Sequence, residues 1–283
     1  MKVLYWLESI RAPWLDAVML AISQLGGEIL FMAIVIALFW CMDKRKGYYL
    51  MTVGFFGIVA NQFLKLVFRV SRPWIRDPEF TIVEGARAGA TGYSFPSGHT
   101  QNAAAVLGCP ARMARKKGLK ITLWVLYALV GISRMYLGVH TPYDVGVGVV
   151  MGLVLVFGLY PFFSEKNYKP QRMYVLLGVM LALSIAFTTY TRLYPFPADI
   201  EVDNLSHGIK NGYTLTGAVA GMLAAFWLDE HYVHFQTAGS LPAHIVKCVV
   251  GLGLLLGIKT VLKPPMNALF GGDPIADAFR YAI

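Results

Sequence analysis

The sequence predicts an all-α, polytopic transmembrane helix bundle, and three observations carry that prediction. Of 283 residues, 57% are hydrophobic and 14% charged, and the mean hydropathy of +0.56 lies above that of a soluble domain of this size. The apolar residues come in blocks long enough to cross ~30 Å of hydrocarbon at ~1.5 Å per helical residue. Lys and Arg gather in the short stretches between alternate blocks, as in a chain threaded through a bilayer. The net charge of +9 therefore reads as topology. No stripe of cations on one soluble face calls for a nucleic-acid partner.

Taken in order, residues 1–25 carry Lys2, Glu8, Arg11 and Asp16 among apolar neighbours. That mixture does not match a cleavable signal peptide and predicts interfacial amphipathic helices. Eight candidate spans follow, near 26–42, 47–69, 99–116, 119–138, 142–163, 172–190, 211–228 and 242–261. The third contains Gln101, Asn102 and Pro110, so it is expected to be buried against other helices rather than to face lipid. Basic turns hold Lys44, Arg45 and Lys46, then Arg112, Arg115, Lys116, Lys117 and Lys120, then Lys166, Lys169 and Arg172. If the spans alternate, all three lie on one side, which the positive-inside rule makes cytoplasmic. The opposite side receives 70–98, 139–141 and a loop at 191–210 whose middle is acidic, with Asp199, Glu201 and Asp203. Asn204, Leu205 and Ser206 form a glycosylation sequon there, a short and weak motif. Cys41, Cys109 and Cys248 sit in apolar blocks and read as small core residues. After Pro264, Pro265 and Gly271–Gly272, a short helix is expected to end abruptly at Ile283, as in a trimmed terminus.

One group of cations breaks the topology rule. Lys65, Arg69, Arg72, Arg76 and Arg87 lie at or beyond the outer end of the second candidate span. Lys65 and Arg72 are seven residues apart, two helical turns, so a helix would stack them on one side with Arg69 nearby. Pro73 limits how far that helix continues. Such a cationic ladder suits phosphate, and snorkelling to lipid headgroups is the bland alternative. A second patch, Pro96-Ser97-Gly98-His99, directly precedes the third candidate span. Free amides and the helix dipole favour an anion there, with His99 placed to donate a proton; a plain cap beside a surface histidine reads the same residues differently. In the third patch, Arg134 ends a span, while His140 and Asp144 open the next at i, i+4. That spacing lets a carboxylate orient an imidazole and leave its other nitrogen for an electrophile, or forms a buried polar contact.

Together the patches resemble the type 2 phosphatidic acid phosphatase (PAP2) superfamily, whose pattern is K-x6-RP, PSGH and SR-x5-H-x3-D. Lys65, Arg72 and Pro73 match the first block, Pro96 to His99 the second, and Ser133, Arg134, His140 and Asp144 the third. The motifs span residues 65–144 and the resemblance about 26–163. It implies a PAP2-like six-helix catalytic core with additional C-terminal spans: interfacial helices at 1–25, the core at 26–190, and an outer loop, two further transmembrane helices and a tail at 191–283. It implies His140 as nucleophile on phosphorus, Asp144 as its orienting carboxylate and His99 as acid and then base. Lys65, Arg72, Arg134, Ser97 and Gly98 would bind the phosphate oxygens, with Arg69, Arg76 and Arg87 as candidate headgroup contacts. No cofactor and no metal are implied, because cations supply the neutralisation and no cluster of metal-ligand spacing is present.

The expected activity is hydrolysis of a lipid phosphate or diphosphate through a phosphohistidine. Phosphatidate, phosphatidylglycerophosphate and undecaprenyl diphosphate are the substrate types considered, with the site on the extracytoplasmic side of a bacterial plasma membrane. Lipid phosphotransfer from the same histidine is the alternative within enzymes. A lipid transporter or scaffold would be expected to lack a catalytic histidine or the Asp, and none is missing.

Overall fold

A computed structural model describes residues 1–198 and 200–283, and every regular element among them is helical. The elements are α1 (Lys2–Ser9), α2 (Pro13–Gln24), α3 (Glu28–Cys41), α4 (Lys44–Phe68), α5 (Pro73–Arg76), α6 (Gly98–Ala103), α7 (Cys109–Met113), α8 (Lys117–Tyr136), α9 (Pro142–Phe163), α10 (Pro170–Leu193), α11 (Val202–Leu228), α12 (Leu241–Val261), α13 (Lys263–Leu269) and α14 (Ile275–Ala282). A π-turn, Ala104–Gly108, joins α6 to α7. Two compact units emerge, one of Met1–Ile34 with Tyr49–Pro161 and one of Val35–Tyr48 with Phe162–Ile283.

Five helical stretches among the described residues are long and apolar enough to cross a membrane: Lys44–Arg76, Lys117–Tyr136, Pro142–Phe163, Pro170–Leu193 and Leu241–Leu269. The pair α2 and α3, bent by 43°, makes a sixth if taken as one broken span. The expectation of eight separate spans is corrected accordingly. The block at 26–42 yields a helix of 14 residues, ~21 Å long and short of the hydrocarbon thickness. The block at 211–228 belongs to a 27-residue helix that begins at Val202; Asn204, Ser206, His207 and Lys210 keep its first turns polar. Most of the expected outer loop is thus helical, and the sequon sits in it. Asp199 lies outside the described residues.

The block at 99–116 is the centre of the first unit. Every residue from Thr100 to Cys109 is buried, as its polarity demanded. The π-turn ends two residues before Pro110, whose ring would strike the Val106 carbonyl in a regular α-turn; the wider turn accommodates it. The α9 backbone lies directly on this helix. A Cβ at Gly148 would come within 2.9 Å of the Ser97 carbonyl, and one at Gly152 within 2.6 Å of the Ala104 side chain. α8 packs on α6 and the π-turn, and the Tyr127 hydroxyl crosses to donate to the Val149 carbonyl at 3.3 Å.

The N-terminal helices close one end of this unit. Leu7, Ala86, Tyr136, Leu137 and Val139 form a buried apolar cluster beside the α8–α9 turn. The N-terminal charges surround it: Arg11 donates to the Tyr136 carbonyl at 3.1 Å and the Thr81 carbonyl at 3.0 Å, while Asp16 accepts from the Tyr136 hydroxyl at 2.6 Å. Gly138 turns the chain at φ +80°, a conformation that favours glycine.

In the second unit, α11 packs between α10 and α14, with Thr188 and Thr216 hydroxyls 3.1 Å apart and Arg192 bridging to Asp273 at 2.7 and 2.9 Å. Lys44 pairs with Asp229 at 2.5 Å. The thiols of Cys41 and Cys248 lie 3.6 Å apart, half-buried rather than in a core, whereas Cys109 is buried. The glycine pair at 271–272 has positive φ at both residues, and α14 follows it.

Candidate active site

The cationic ladder forms, by a different construction from the one the spacing suggested. α4 ends at Phe68, Arg69 adopts a left-handed φ of +49°, and Arg72 lies in extended backbone ahead of Pro73. Helical stacking of Lys65 on Arg72 is therefore corrected. The two cations meet because the loop 91–93 holds both. Lys65 Nζ donates to the Tyr93 carbonyl at 2.5 Å, and Arg72 donates to the Thr91 carbonyl at 2.7 Å and the Gly92 carbonyl at 3.0 Å. A further bond from Arg72 reaches the Val139 carbonyl at 2.9 Å. Both are buried, 8% and 4% exposed.

Arg72 also lies 3.0 Å from His140 Nε2. A guanidinium only donates, so Nε2 is the acceptor and the ring proton resides on Nδ1. Nδ1 faces Asp144 Oδ2 at 3.6 Å, beyond hydrogen-bond distance and close enough for a direct electrostatic contact. The carboxylate is fixed by two other donors, the Ser94 hydroxyl at 2.6 Å and the Thr141 amide at 2.7 Å. His140 sits in the turn between α8 and α9. Burial, followed by the Arg72, Arg134 and Lys65 cations, pushes its pKa well below the ordinary histidine value, which keeps the ring neutral.

Ser97 caps α6. Its hydroxyl accepts from the Thr100 amide at 3.4 Å and the Thr100 hydroxyl at 2.9 Å, and its amide donates to the Asp144 carbonyl at 3.0 Å. The cap read from PSGH is present: Ser97 supports a helix start whose next amides, from Gly98 and His99, carry the positive end of the dipole. Arg134 reaches from α8 to donate to the Ser23 hydroxyl at 2.6 Å. Its Nε and second terminal nitrogen are buried and have no hydrogen-bond partner among the described residues.

Lys65, Arg72, Gly98, His99 and His140 line one cavity of about 120 Å³, together with Gly26, Glu28, Ile58, Asn61, Gln62, Gly89, Thr91, Gln101 and Asn102. Around it, three buried cations, Lys65, Arg72 and Arg134, face one buried carboxylate, Asp144. Uncompensated buried positive charge is costly, and an anion in the cavity relieves it. The candidate headgroup contacts Arg69, Arg76 and Arg87 do not line this cavity. Arg76 is exposed, and Arg87 forms an exposed ion pair with Glu84 through two bonds of 2.8 Å. Ser133, a motif position, bonds back to the Val130 carbonyl at 2.7 Å.

Sequence reasoning missed Ser23, Ser94, Asn61, Gln101 and Asn102. Ser94 lay within a stretch already marked as unusual, TGYSFPSGHTQ, and its neighbours Thr91, Gly92 and Tyr93 contribute backbone carbonyls that no residue pattern announces.

A polytopic helical protein whose buried cations border a small cavity also lined by two histidines belongs to the class of membrane phosphatases. The chain is a member of the PAP2 superfamily: residues 45–168 match that superfamily, and residues 213–283 match the PAP2 superfamily phosphatase transmembrane extension. It is 34% identical over 172 residues to phosphatidylglycerophosphatase B of Bacillus subtilis (strain 168), covering 56% of this chain and 79% of the relative. It is 27% identical over 303 residues to a dihydrosphingosine 1-phosphate phosphatase of Schizosaccharomyces pombe, covering 99% and 69%. The crystal structure of a transmembrane PAP2 type phosphatidylglycerolphosphate phosphatase from Bacillus subtilis aligns with a TM-score of 0.50 and 30% identity, over 59% of this chain and 85% of that one. The chain is an integral membrane enzyme, a phosphoric monoester or diphosphate hydrolase of the lipid phosphatase type.

Proposed function

We propose that this enzyme hydrolyses the terminal phosphate of a lipid phosphate at the outer leaflet of a bacterial plasma membrane, through a phosphohistidine on His140. The observation that carries the reading is the excess of buried cations around the cavity that also holds His99 and His140.

Phosphate entering the cavity takes Arg72, Lys65 and the open nitrogens of Arg134 as ligands, along with the Ser97 hydroxyl and the Gly98 amide. Arg72 then releases Nε2, whose lone pair attacks phosphorus. The P–O bond to the lipid alcohol breaks, and His99 protonates the departing oxygen. Burial, then the Arg134, Arg72 and Lys65 cations, hold His99 below its ordinary pKa until the negative charge of the bound phosphate raises it and the ring takes up that proton. Positive charge develops on the His140 ring, and Asp144, held by Ser94 and Thr141, stabilises it. Water, deprotonated by His99, then breaks the P–N bond and releases inorganic phosphate. The charge of the transition state spreads over the equatorial oxygens, where pre-placed cations and amides act with little reorganisation. The positive-inside rule supports the outer placement, since the basic turns lie opposite the motif-bearing segments.

Phosphatidate, phosphatidylglycerophosphate and undecaprenyl diphosphate all present the required group on an apolar tail. The relatives' names support glycerolipid and sphingoid phosphates, and an outward site suits recycling of a polyprenyl diphosphate. The test is phosphate release by the purified protein from these lipids in detergent. Release by the wild type, abolished in His140→Ala, supports the reading; normal release by that variant removes His140 from the role.

A further inference from the structure

One wall of the active-site cavity is built from polar residues outside the phosphatase motifs. Glu28, Asn61, Gln101 and Asn102 line the same cavity as Lys65, Arg72, His99 and His140. Three of them are nine-tenths or more buried: Asn61 is 3% exposed, Gln101 1% and Asn102 6%. Their amide orientations follow from carbonyl partners. Asn102 Nδ2 donates to the Gly26 carbonyl at 2.9 Å, so Oδ1 is the free atom, buried and without a partner among the described residues. Asn61 Nδ2 donates to the Pro96 carbonyl at 3.2 Å, which leaves its Oδ1 as an acceptor beside Gly98. Gln101 Nε2 is likewise buried without a partner, in space that exists because Gly57 has no side chain.

An unpartnered buried amide is costly, and in a native structure it calls for a partner. Here the unpartnered buried atoms are the Asn102 oxygen and the Gln101 donor, joined on the same wall by Asn61 Oδ1 and the Glu28 carboxylate as further acceptors. Acceptors dominate. A second phosphate, which offers only acceptors and negative charge, is mismatched to such a wall. A hydroxyl or an ammonium next to the scissile phosphate fits it, donating to the Asn oxygens and Glu28 while a hydroxyl oxygen accepts from Gln101.

We propose that Glu28, Asn61, Gln101 and Asn102 form a headgroup subsite that selects lipid monophosphates bearing a hydrogen-bond donor, hydroxyl or ammonium, close to the phosphate. The proposal rests on the phosphatase reading and names the substrate class of that site. The backbone supports the placement: Gly26 packs so closely on the His99 carbonyl that any side chain there would collide with it, which sets the start of α3, and with it Glu28, beside the cavity.

The experiment compares kcat/KM of the purified full chain for four lipids in one detergent: hexadecyl phosphate, which has no donor; 1-hexadecanoyl lysophosphatidate, which has a hydroxyl; sphinganine 1-phosphate, which has an ammonium; and farnesyl diphosphate. A site built to bond a polar group discriminates strongly against analogues that lack it, so at least one donor-bearing lipid exceeds hexadecyl phosphate by ~10-fold or more, and farnesyl diphosphate does not. Preference for the hydroxyl or the ammonium arm identifies which donor is read. Glu28→Gln, at an exposed position, lowers the preference for the donor-bearing lipid over hexadecyl phosphate several-fold through KM. Equal turnover of all monophosphates by the wild type, or a preference for the diphosphate, overturns the subsite and leaves the phosphatase reading standing. A Glu28→Gln effect that is the same on all four lipids also overturns it. Absence of turnover on every lipid overturns both.

Discussion

Ser94 offers a sharp test of how the site is organised. Its hydroxyl donates to Asp144 Oδ2 at 2.6 Å, and neither residue is more than 1% exposed. A hydrogen bond to a charged group contributes about 1.5–3 kcal/mol. Ser94→Ala removes it without adding volume. The carboxylate keeps the Thr141 amide at 2.7 Å but loses one of its two fixing donors, and with it the geometry that faces His140 Nδ1 at 3.6 Å. If the whole contribution is realised as charge develops on the imidazole, kcat falls by about 10- to 150-fold, while KM, set by the phosphate ligands and the lipid tail, changes little. The assay is steady-state release of radiolabelled phosphate by wild type, Ser94→Ala, Asp144→Asn and the double variant. Acting only through Asp144, Ser94 has almost no further effect once the carboxylate is gone, so the double-mutant cycle is strongly non-additive. Additive losses, or a Ser94→Ala enzyme with normal kcat, would refute the argument that this hydroxyl positions the carboxylate.

Three further expectations follow from the same geometry. Because Lys65, Arg72 and Arg134 supply the positive charge around the cavity, activity persists in excess EDTA; loss on chelation with recovery on adding a divalent cation contradicts that account. Arg72→Ala lowers kcat/KM by about 100-fold or more, as removal of a buried ligand to the transferring group does, whereas Arg87→Ala changes it by less than about three-fold because its ion pair with Glu84 is exposed; equal effects would place Arg87 in the site. Oxidation with copper–phenanthroline links Cys41 to Cys248, whose thiols are 3.6 Å apart, in a single chain detected by non-reducing peptide mapping, and leaves Cys109 unreacted; the opposite pattern contradicts the packing of α3 on α12.

Much of the candidate site was legible in the sequence because phosphate chemistry constrains residue type and spacing together. Asp144 lies in the first turn of α9 as expected, while His140 sits just before that helix, in the turn that follows α8, and PSGH does begin a helix. The ladder from Lys65 to Arg72 was legible in its residues and not in its geometry. Seven-residue spacing suggests one helical face, yet α4 stops at Phe68 and the loop carbonyls of Thr91, Gly92 and Tyr93 bring the cations together. Backbone carbonyls leave no mark on residue identity. Nor does hydropathy separate a lipid-facing span from a short or buried helix, so α3, the helix from Gly98 to Met113 and α11 were all read as spans. Ser23 lies in the stretch 1–25 that reads as interfacial helices and Glu28 opens a block that reads as a span, while the folded chain carries Ser23 to Arg134 and Glu28 to the cavity.

The central claim is a covalent bond between phosphorus and His140, and rapid-quench labelling tests it most directly. Enzyme mixed with a lipid phosphate labelled in its terminal phosphoryl group is quenched with alkali within one turnover, digested and mapped. The account predicts label on the peptide that contains His140, stable to base and released by acid as a phosphoramidate is, and trapped to a higher level in His99→Ala when the lipid bears a leaving group that needs no proton. Turnover at normal rate with no label on that peptide at any quench time, or label that persists in His140→Ala, would contradict it.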